Sequence, residues 1–551
     1  METEAHDIPQ SADSGLVLPE ERSKLELISI MAGVMSAIFL AALDQTIVST
    51  AMPRIIADLN GFEHYSWVFT AYMLTSTIVV PIIGKLSDIY GRKVTLLAGV
   101  AIFLAGSVVC GLAQSMVQLM LFRGFQGLGA GILMSGAFTA IGDLFPPAER
   151  GKWQGVIAGV FGLSSVAGPV LGGLITDNLS WRWVFYVNVP VGILAASIIF
   201  FLFPVFHRSG PRPPIDFAGA TTLTLGLVPI LLAFVWAGSL YPWVSPQILG
   251  LFGIGIAMLI SFALVEQRAK EPIIPLDLFR NPIFTISASV VFLTAMAMFG
   301  GIVYLPLFVQ GVIGASATAS GLVLTPMTLV LIFSNVIAGQ LISRTGRYQR
   351  VAIVGLTFQI LGLGLLATMS VDTDEWAAIR NMLVAGLGMG LTMPVFVIAV
   401  QNALPYSRLG VVTSSMQLCR SVGSTVGVAV LGSLVTGSFH DEFIREVPAA
   451  VKETLAPGVL DRLGNPQVLV SADAQAQLTE LLKSAGIQDG QAIDQILYAL
   501  RQALAISIHN AFLVGLAVIV LAWVLTLFLK EIPLRRSNRP LSSSPSPAPR
   551  A

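Results

Sequence analysis

Two charged side chains lie inside long apolar runs of the sequence, Asp44 in the run 28–50 and Arg123 in the run 117–141. A charge at the centre of a bilayer costs about 2.5–3.5 kcal/mol even on an insertion scale, so each group needs a partner, water or neutralisation. At 1.5 Å per residue, both lie roughly 9 Å below the outer boundary of the bilayer. A buried carboxylate beside a guanidinium can bind and release protons. We therefore predict proton coupling at Asp44, tuned by Arg123, with a permanent ion pair between two helices as the alternative.

Further polar side chains inside apolar runs are candidates for a substrate cavity. Arg420 lies near the middle of the run 411–437, which contains no acidic residue. An intramembrane arginine is a functional candidate by default, whereas capping of backbone carbonyls or pairing with Asp44 would make it structural. The neutral polar candidates for the cavity are Gln45, Gln126, Asn335 and Gln417. Some of these would instead form hydrogen bonds between helices, which are worth about 0.6 kcal/mol each.

The composition places these residues in a membrane protein. The chain has 551 residues, of which 55% are hydrophobic, and its mean hydropathy is +0.80. A soluble protein cannot bury that much apolar surface. The 31 basic and 31 acidic side chains balance, so nothing indicates a nucleic-acid partner. The histidines and cysteines show no catalytic or metal-ligand spacing, and no phosphate-binding glycine loop occurs, so we predict no enzyme, cofactor or metal site.

About fourteen apolar runs are long enough to span a bilayer as helices, and they predict an all-α polytopic membrane protein. Their grouping predicts two six-helix bundles with two inserted helices between them. The predicted parts are a cytoplasmic N-terminal tail (1–27), an N-terminal bundle (28–204), a two-helix insert with flanking loops (205–270), a C-terminal bundle (271–529) and a disordered cytoplasmic tail (530–551). The polar segment 438–505 is predicted to be an extracytoplasmic insertion, with short amphipathic helices at 474–485 and 492–503.

Lysine and arginine residues determine the predicted orientation. With the N-terminus inside, the short inner loops hold most of them, for example Lys85, Arg150 and Arg344. Short loops rich in these residues stay in the cytoplasm, so both termini are predicted to be cytoplasmic. We expect a multi-pass monomer surrounded by the lipid of a bacterial plasma membrane.

A charged turn between the second and third runs, 84–93, has a weaker copy at 339–347, which lies 255 residues downstream. Further glycine pairs keep the same offset, and they are Gly155 with Gly410, Gly168 with Gly423 and Gly172 with Gly427. The copy departs from the first turn at Ser343, which replaces Asp88. Two parallel halves of this kind suit alternating access around a site at the middle of the membrane.

The first turn is predicted to be a gate at the cytoplasmic surface. Its candidate residues are Gly84, Asp88, Gly91, Arg92 and Lys93, with Asp143 at the same end of the fourth run. Salt bridges from the two acidic to the two basic members would each be worth about 0–1 kcal/mol, enough to bias a nearly balanced two-state gate. The alternative is topological, with the positive charges holding the loop inside. The helix breaker Gly168-Pro169, together with Gly172, is predicted to control the seal between the halves.

Several of these segments resemble motifs of the major facilitator superfamily. The turn Gly84-Lys-Leu-Ser-Asp-Ile-Tyr-Gly-Arg-Lys93 resembles its loop signature, and Arg123-Gly-Phe-Gln-Gly-Leu-Gly129 resembles its fourth-helix motif. The segment 162–173 is similar to the fifth-helix motif associated with antiporters. The segments 43–53 and 181–190 resemble motifs of the fourteen-span drug:proton antiporters. The resemblance implies the major facilitator fold and proton-coupled efflux.

Together, these features predict a secondary transporter that exports small amphipathic or hydrophobic drugs, or toxic compounds, in exchange for protons. The first alternative is a proton-coupled exporter of a lipid or of a specific metabolite. The second alternative is a transport-inactive membrane receptor, although a receptor would more naturally carry a folded inner domain than these short inner loops.

Overall fold

The computed structural model describes residues 24–59, 65–204, 214–238, 240–314, 317–405, 408–447, 469, 480 and 490–534. In this part of the chain the regular structure is helical, apart from an isolated bridge between Ala237 and Tyr241. The N-terminal helices are α1 (Lys24–Leu59), α2 (Tyr65–Tyr90), α3 (Arg92–Gly111), α4 (Met116–Leu144), α5 (Pro147–Asn178), α6 (Trp183–Tyr186), α7 (Asn188–Leu202), α8 (Phe217–Trp236) and α9 (Pro246–Glu266). After a 3₁₀ helix at Leu276–Arg280 come α10 (Pro282–Gly311), α11 (Ala317–Thr345), α12 (Tyr348–Ala367), α13 (Glu375–Thr392), α14 (Val395–Ala403), α15 (Leu409–Glu446) and α16 (Gly490–Leu527). Of the predicted N-terminal tail, 1–23 lie outside the described residues.

Thirteen helical segments of the described chain are long and apolar enough to cross a membrane. Helix α10 adds a shorter apolar segment, Pro282–Met298. The prediction of an all-α polytopic chain is therefore confirmed. Two of the predicted spans are each formed by two successive helices, α6 with α7 and α13 with α14. The second break lies at Pro394, whose nitrogen has no hydrogen to donate to the preceding turn.

Close contacts at glycines show the internal repeat in three dimensions. Gly106 on α3 lies against the backbone of Gln126 on α4, and Gly362 on α12 lies in the same way against Ala385 on α13. In both pairs a side chain in place of the glycine would overlap its neighbour, so the small residue allows the helices to cross closely. The same packing thus occurs in the first half (α1–α7) and in the second half (α10–α16), at offsets of 256 residues for the glycines and 259 for their partners, close to the predicted offset of 255.

The two charged turns of the repeat also share an unusual backbone conformation. Gly91 has φ 91° and Gly346 has φ 69°. Residues with a Cβ atom rarely adopt positive φ, whereas glycine does so at little cost. Each glycine therefore allows the tight reversal between two membrane-spanning helices.

Helices α8 and α9 pack on each other and cover the line along which α2 meets α15. Leu223 and Leu227 of α8 share an apolar cluster with Ile78 of α2, against which Leu418 of α15 also packs. Both helices lie within the predicted two-helix insert, 205–270. The pair therefore bridges the two halves on the outside of the helix bundle.

Helices α15 and α16 extend beyond the spans predicted from hydropathy, into both ends of the predicted insertion 438–505. Phe443 of α15 and Leu500 of α16 are fully buried, and they belong to the apolar core of the second half. Hydropathy does not detect the extensions because each presents one apolar stripe among polar residues. The helix predicted at 492–503 is part of α16, whereas the one predicted at 474–485 lies almost wholly outside the described residues.

A short segment after α16 is held against α12 and α14. The Tyr348 hydroxyl donates to the Lys530 carbonyl at 2.7 Å and accepts a hydrogen bond from the Ile532 nitrogen at 2.8 Å. The Asn402 amide donates to the Ile532 carbonyl at 3.4 Å. The start of the tail that was predicted to be disordered is therefore ordered, because two polar side chains bind its backbone. Residues 535–551 lie outside the described ones.

Candidate functional site

Asp44 is fully buried in α1 and is surrounded by hydrogen-bond donors. Its Oδ2 atom accepts a hydrogen bond from Nη1 of Arg123 on α4, with which it forms an ion pair. Its Oδ1 atom accepts from Nε2 of Gln126 at 2.9 Å and from Nδ2 of Asn188 at 3.0 Å. One carboxylate thereby joins α1 to α4 and α7. The structure brings the three predicted residues of this group together, while their part in proton coupling stays a prediction.

The hydrogen-bond network continues from Asn188 towards α3 and α6. Asn188 Nδ2 also donates to the Ser107 hydroxyl at 2.9 Å, and Ser107 donates to the Phe185 carbonyl at 2.8 Å. On the other side, the Cys110 thiol donates to Oε1 of Gln126 at 3.6 Å. In a buried network of this kind, the loss of one member leaves its neighbours unsatisfied. The carboxylate is therefore held in one position by groups from several helices.

Arg123 is fully buried, but only part of its donor capacity is used. Its Nη1 atom donates to Asp44 and, at 2.8 Å, to Oε1 of Gln126. The Nε and Nη2 atoms have no hydrogen-bond partner among the described residues. The ring of Tyr72 lies 4.2 Å from the guanidinium carbon, which gives a cation–π contact. An arginine with spare donors can bind a second acceptor, such as water, when its surroundings open.

The predicted seal on α5 meets α1 beside this carboxylate. Gly168 and Gly172 both lie against α1, and Gly168 contacts Thr46. Helix α5 continues through Gly168 rather than breaking there, and the side chain of Pro169 lies outside the described ones. Any shift of α5 along α1 would therefore change the packing of α1 at Thr46, two residues from Asp44.

The predicted gate lies at the end of the molecule where Gly91 separates α2 from α3, which we call the turn end. Asp88 accepts a hydrogen bond there from the backbone nitrogen of Val411 at 3.2 Å, and it pairs with Arg92 at 2.5 Å. Val411 lies in the first turn of α15, where the partial positive charge of the helix favours a carboxylate. Arg92 also pairs with Asp143 at 2.5 Å. The turn is therefore attached to the second half through one carboxylate.

Lys93 does not join this cluster. Its Nζ atom lies over the ring of Phe200, 5.5 Å from the centroid. Successive residues of a helix point about 100° apart, so Lys93 faces α7 while its neighbour Arg92 faces the carboxylates. In the described chain, the ion pairs of the turn involve Arg92, which pairs with Asp88 and Asp143, and Lys85, which pairs with Glu271 at 2.6 Å, whereas the salt bridge predicted for Lys93 is not formed.

Three further contacts join the two halves at the turn end. Arg150 at the start of α5 donates to Oε1 of Gln401 on α14 at 3.0 Å. Gly151 and Gly339 bring the backbones of α5 and α11 into direct contact, and Gly84 of α2 packs closely on α15. The turn end is therefore closed both by polar bonds and by direct backbone packing.

A polar cluster ties the last turn of α1 to the opposite end of the first half. Asp58 accepts hydrogen bonds from Nε1 of Trp181 at 2.8 Å and from Nη1 of Arg182 at 3.2 Å. Arg182 also donates to the Ala113 carbonyl at 3.0 Å. The hydrogen bond from Trp181 and then that from Arg182 lower the pKa of Asp58, because they favour the charged carboxylate.

Comparisons with known proteins identify the family of this helix bundle. The model of the Major Facilitator Superfamily matches residues 34–428. The chain belongs to the major facilitator superfamily. The multidrug transporter protein MdtP of Bacillus subtilis is 41% identical over 523 residues, which cover 93% of this chain and 94% of the relative. Multidrug resistance protein 3 of the same organism is 37% identical over 502 residues, which cover 91% of this chain and 94% of the relative.

A solved structure shows the same major facilitator fold. The crystal structure of the human organic anion transporter MFSD10 matches with a TM-score of 0.57, covering 90% of this chain and 100% of that chain. The sequence identity is 14%, so this likeness shows the fold alone. The predicted major facilitator fold is confirmed, and the chain is a multi-pass membrane transporter.

The other predicted cavity residues of this major facilitator protein are spread over both halves. Gln45 is half-buried next to Tyr72. Asn335 on α11 is buried, and its Oδ1 atom has no hydrogen-bond partner in the described part of the chain, while Gln417 on α15 is half-buried. Arg420 lines a small cavity whose wall comes from the second half. The structure therefore separates Arg420 from the Asp44 group, and the predicted alternative of a pair between them is not formed.

Sequence reasoning missed Asn188, Tyr72 and Ser107 as members of the Asp44 group. Asn188 lies in the segment 181–190, which resembles the drug-antiporter branch of the superfamily. A polar side chain at the start of an apolar run was the available signal. Its contact with Asp44 joins residues far apart in the chain, so only the packing of the helices reveals it.

Proposed function

We propose that this protein is a proton-coupled efflux antiporter for amphipathic or hydrophobic drugs or toxic compounds, and that it works by alternating access. The observation that carries the proposal is the fully buried carboxylate of Asp44, bound by Arg123, Gln126 and Asn188. The names of the two Bacillus subtilis relatives support the class of substrate. The turn end is rich in Lys and Arg, which supports a cytoplasmic location for it and for both termini.

Proton binding at Asp44 would change the packing of α1. A protonated carboxyl has no negative charge to hold Arg123, and it accepts hydrogen bonds more weakly than a carboxylate does. Helix α1 would then be held less tightly to α4 and α7. Gly168 of α5 contacts Thr46 of α1, so a change in the packing of α1 would also change the predicted seal. Proton binding and release would in this way be linked to the side on which the bundle opens.

The energies of the gate and of the proton gradient are similar in size. A membrane potential of 100 mV supplies about 2.3 kcal/mol for each charge moved. A carboxylate at a helix N-terminus, such as Asp88 of α2 against the first turn of α15, is worth about 0.3–2 kcal/mol. One proton moved down the gradient therefore supplies enough free energy to offset a contact of this kind at the turn end.

Transport in proteoliposomes tests the proposal. A pH gradient should drive uptake of a fluorescent lipophilic dye by the wild type, and a protonophore should abolish it. Asp44→Asn should lower the gradient-driven rate at least tenfold, because the side chain can no longer exchange a proton. Asp44→Glu should keep part of the rate. Asp277→Asn, which removes an exposed carboxylate at the turn end, is the matched control and should transport normally.

The permanent ion pair is the alternative, and a double variant separates it from coupling. Asp44→Asn alone leaves Arg123 as an unpaired buried charge, which typically costs about 3–5 kcal/mol and can impair folding. Asp44→Asn/Arg123→Gln removes both charges, so it should fold and still fail to couple transport to protons. Full gradient-driven transport by either variant would show that Asp44 is not the coupling site.

A further inference from the structure

A cavity of about 40 Å³ lies in the second half, between α10, α12, α15 and the junction of α13 with α14. Its wall is mainly apolar and includes the flexible side chains of Met298, Met389 and Met393. Two polar side chains, Gln359 and Arg420, face the same space. A volume of this size holds roughly three water molecules, or one small polar group of a ligand.

Arg420 is half-buried, and it differs from Arg92 and Arg123, which are buried between the helices. Arg92 and Arg123 are each paired with a carboxylate. No carboxylate among the described residues forms an ion pair with Arg420, whose guanidinium carbon lies 5.9 Å from the ring of Phe138 on α4. A guanidinium in an apolar cavity without an anion is costly in free energy, so Arg420 lacks the negative partner that would offset this cost.

Gln359 is the second incomplete group, and it is an independent observation. Its side chain is 3% exposed, and its Oε1 atom has no hydrogen-bond partner in the described chain. The position in the first half that is equivalent to Gln359 holds an apolar residue. Gly388 lies against Gln359 in the second half, whereas Gly129 lies against the buried Phe103 in the first. An apolar side chain would therefore satisfy the packing at this position. Packing alone does not explain the amide of Gln359, which lines the cavity.

We propose that this cavity binds the carboxylate of an amphipathic monoanion, so that lipophilic carboxylic acids are among the substrates of the transport function proposed above. The planar guanidinium of Arg420 matches a carboxylate and donates to both of its oxygens. The Nε2 group of Gln359 can donate a further hydrogen bond to the carboxylate, whereas its Oε1 atom is an acceptor and would bind a donor such as water. The methionines adapt to apolar chains of different shape next to the charged group.

Binding to the purified full-length protein tests this proposal without any proton gradient. The probes are 11-(dansylamino)undecanoic acid at pH 8 and its methyl ester, which keeps the tail but has no charge. The wild type should bind the acid about tenfold more tightly than the ester, as a charge-assisted hydrogen-bond pair predicts. Arg420→Gln should bring the affinity for the acid down to that for the ester. Arg445→Gln, which removes an exposed arginine of the same helix, is the control and should bind as the wild type does.

Two further variants keep the test decisive if Arg420→Gln folds poorly. Arg420→Lys keeps the charge but loses the planar fork, so it should retain an intermediate preference for the acid. Gln359→Leu should weaken binding of the acid several-fold without changing the affinity for the ester. Equal affinity of the wild type for acid and ester, or an equal loss for both probes in the Arg420 variants, would overturn the proposal. Acid binding that persists where dye transport shows no proton dependence would refute the antiport mechanism and leave this cavity assigned.

Discussion

Asp44 and Asp58 hold α1 at two depths and in different surroundings. Asp44 is fully buried among donors from α4 and α7, where charges interact strongly because little water screens them. Asp58 lies at the exposed end of the same helix, where solvent and salt weaken its bonds to Trp181 and Arg182. The deep carboxylate is therefore suited to coupling, and the exposed one to anchoring the end of the helix.

We expect the anchoring by Asp58 to be lost in acid. Its hydrogen bonds hold its pKa below the ordinary value of 3.8, so the stabilisation is complete above that value and disappears as the pH falls through the lowered pKa. The apparent melting temperature of the wild type should exceed that of Asp58→Asn at pH 6, and this gap should close below about pH 4. Asp372→Asn, in the loop before α13, is the control. A gap that does not change with pH would contradict this account of Asp58.

The helices that join the halves at the turn end do so by different means. Helices α2 and α15 meet through the Asp88 carboxylate, whereas α5 and α11 meet through the backbones of Gly151 and Gly339. In the repeat, Ser343 on α11 takes the place of Asp88, so that contact has no equivalent charge. The α2–α15 crossing thus combines a carboxylate contact with close packing at Gly84, whereas the α5–α11 crossing brings two glycine backbones together.

A side chain at Gly151 should prevent closure of the turn end. In Gly151→Val the new Cβ would overlap the backbone of Gly339, which cannot move aside as a flexible side chain can. Spin labels at the exposed positions Lys152 and Arg344 should then lie further apart than in the wild type, as double electron–electron resonance would show. Gly364→Val, at a glycine with nothing within 4 Å, is the control. Unchanged distances in Gly151→Val would contradict a closed turn end held by this contact.

The sequence predicts those features whose free energy in the membrane depends on residue type alone. The spans follow from the length of the apolar runs, and the pair of Asp44 with Arg123 follows from the expense of an intramembrane charge. The extensions of α15 and α16 could not be predicted from hydropathy, because residues such as Phe443 are buried only when the helices of the second half pack together. The salt bridge expected of Lys93 failed because the rotation of α3, rather than the composition of the turn, decides which way each side chain points.

At the scale of the whole molecule, the two halves share their packing but differ in chemistry. The first half buries a hydrogen-bonded carboxylate at Asp44, and the second half has a cavity lined by Arg420 and by Gln359, whose Oε1 atom has no hydrogen-bond partner among the described residues. The two halves therefore offer different groups, a paired carboxylate in the first and a cavity lined by an arginine in the second. This difference supports the proton coupling and the ligand binding that are proposed above.

The orientation of the molecule is open to a direct measurement in intact cells. The Lys and Arg residues of the turn end predict that it faces the cytoplasm. A cysteine at the exposed Trp376, at the opposite end, should react with a membrane-impermeant maleimide added outside. A cysteine at Lys152 should react only after the cells are permeabilised. The reverse pattern would show that the predicted orientation is wrong.

The docked segment after α16 has a practical consequence for cloning. Tyr348 and Asn402 are bound by the backbone of Lys530 and Ile532, so these residues complete the second half although they follow its last helix. A purification tag or fluorescent fusion joined directly to the end of α16 would take these partners away and leave polar groups of the bundle unsatisfied. Expression vectors for this transporter are therefore best built with the junction after residue 534.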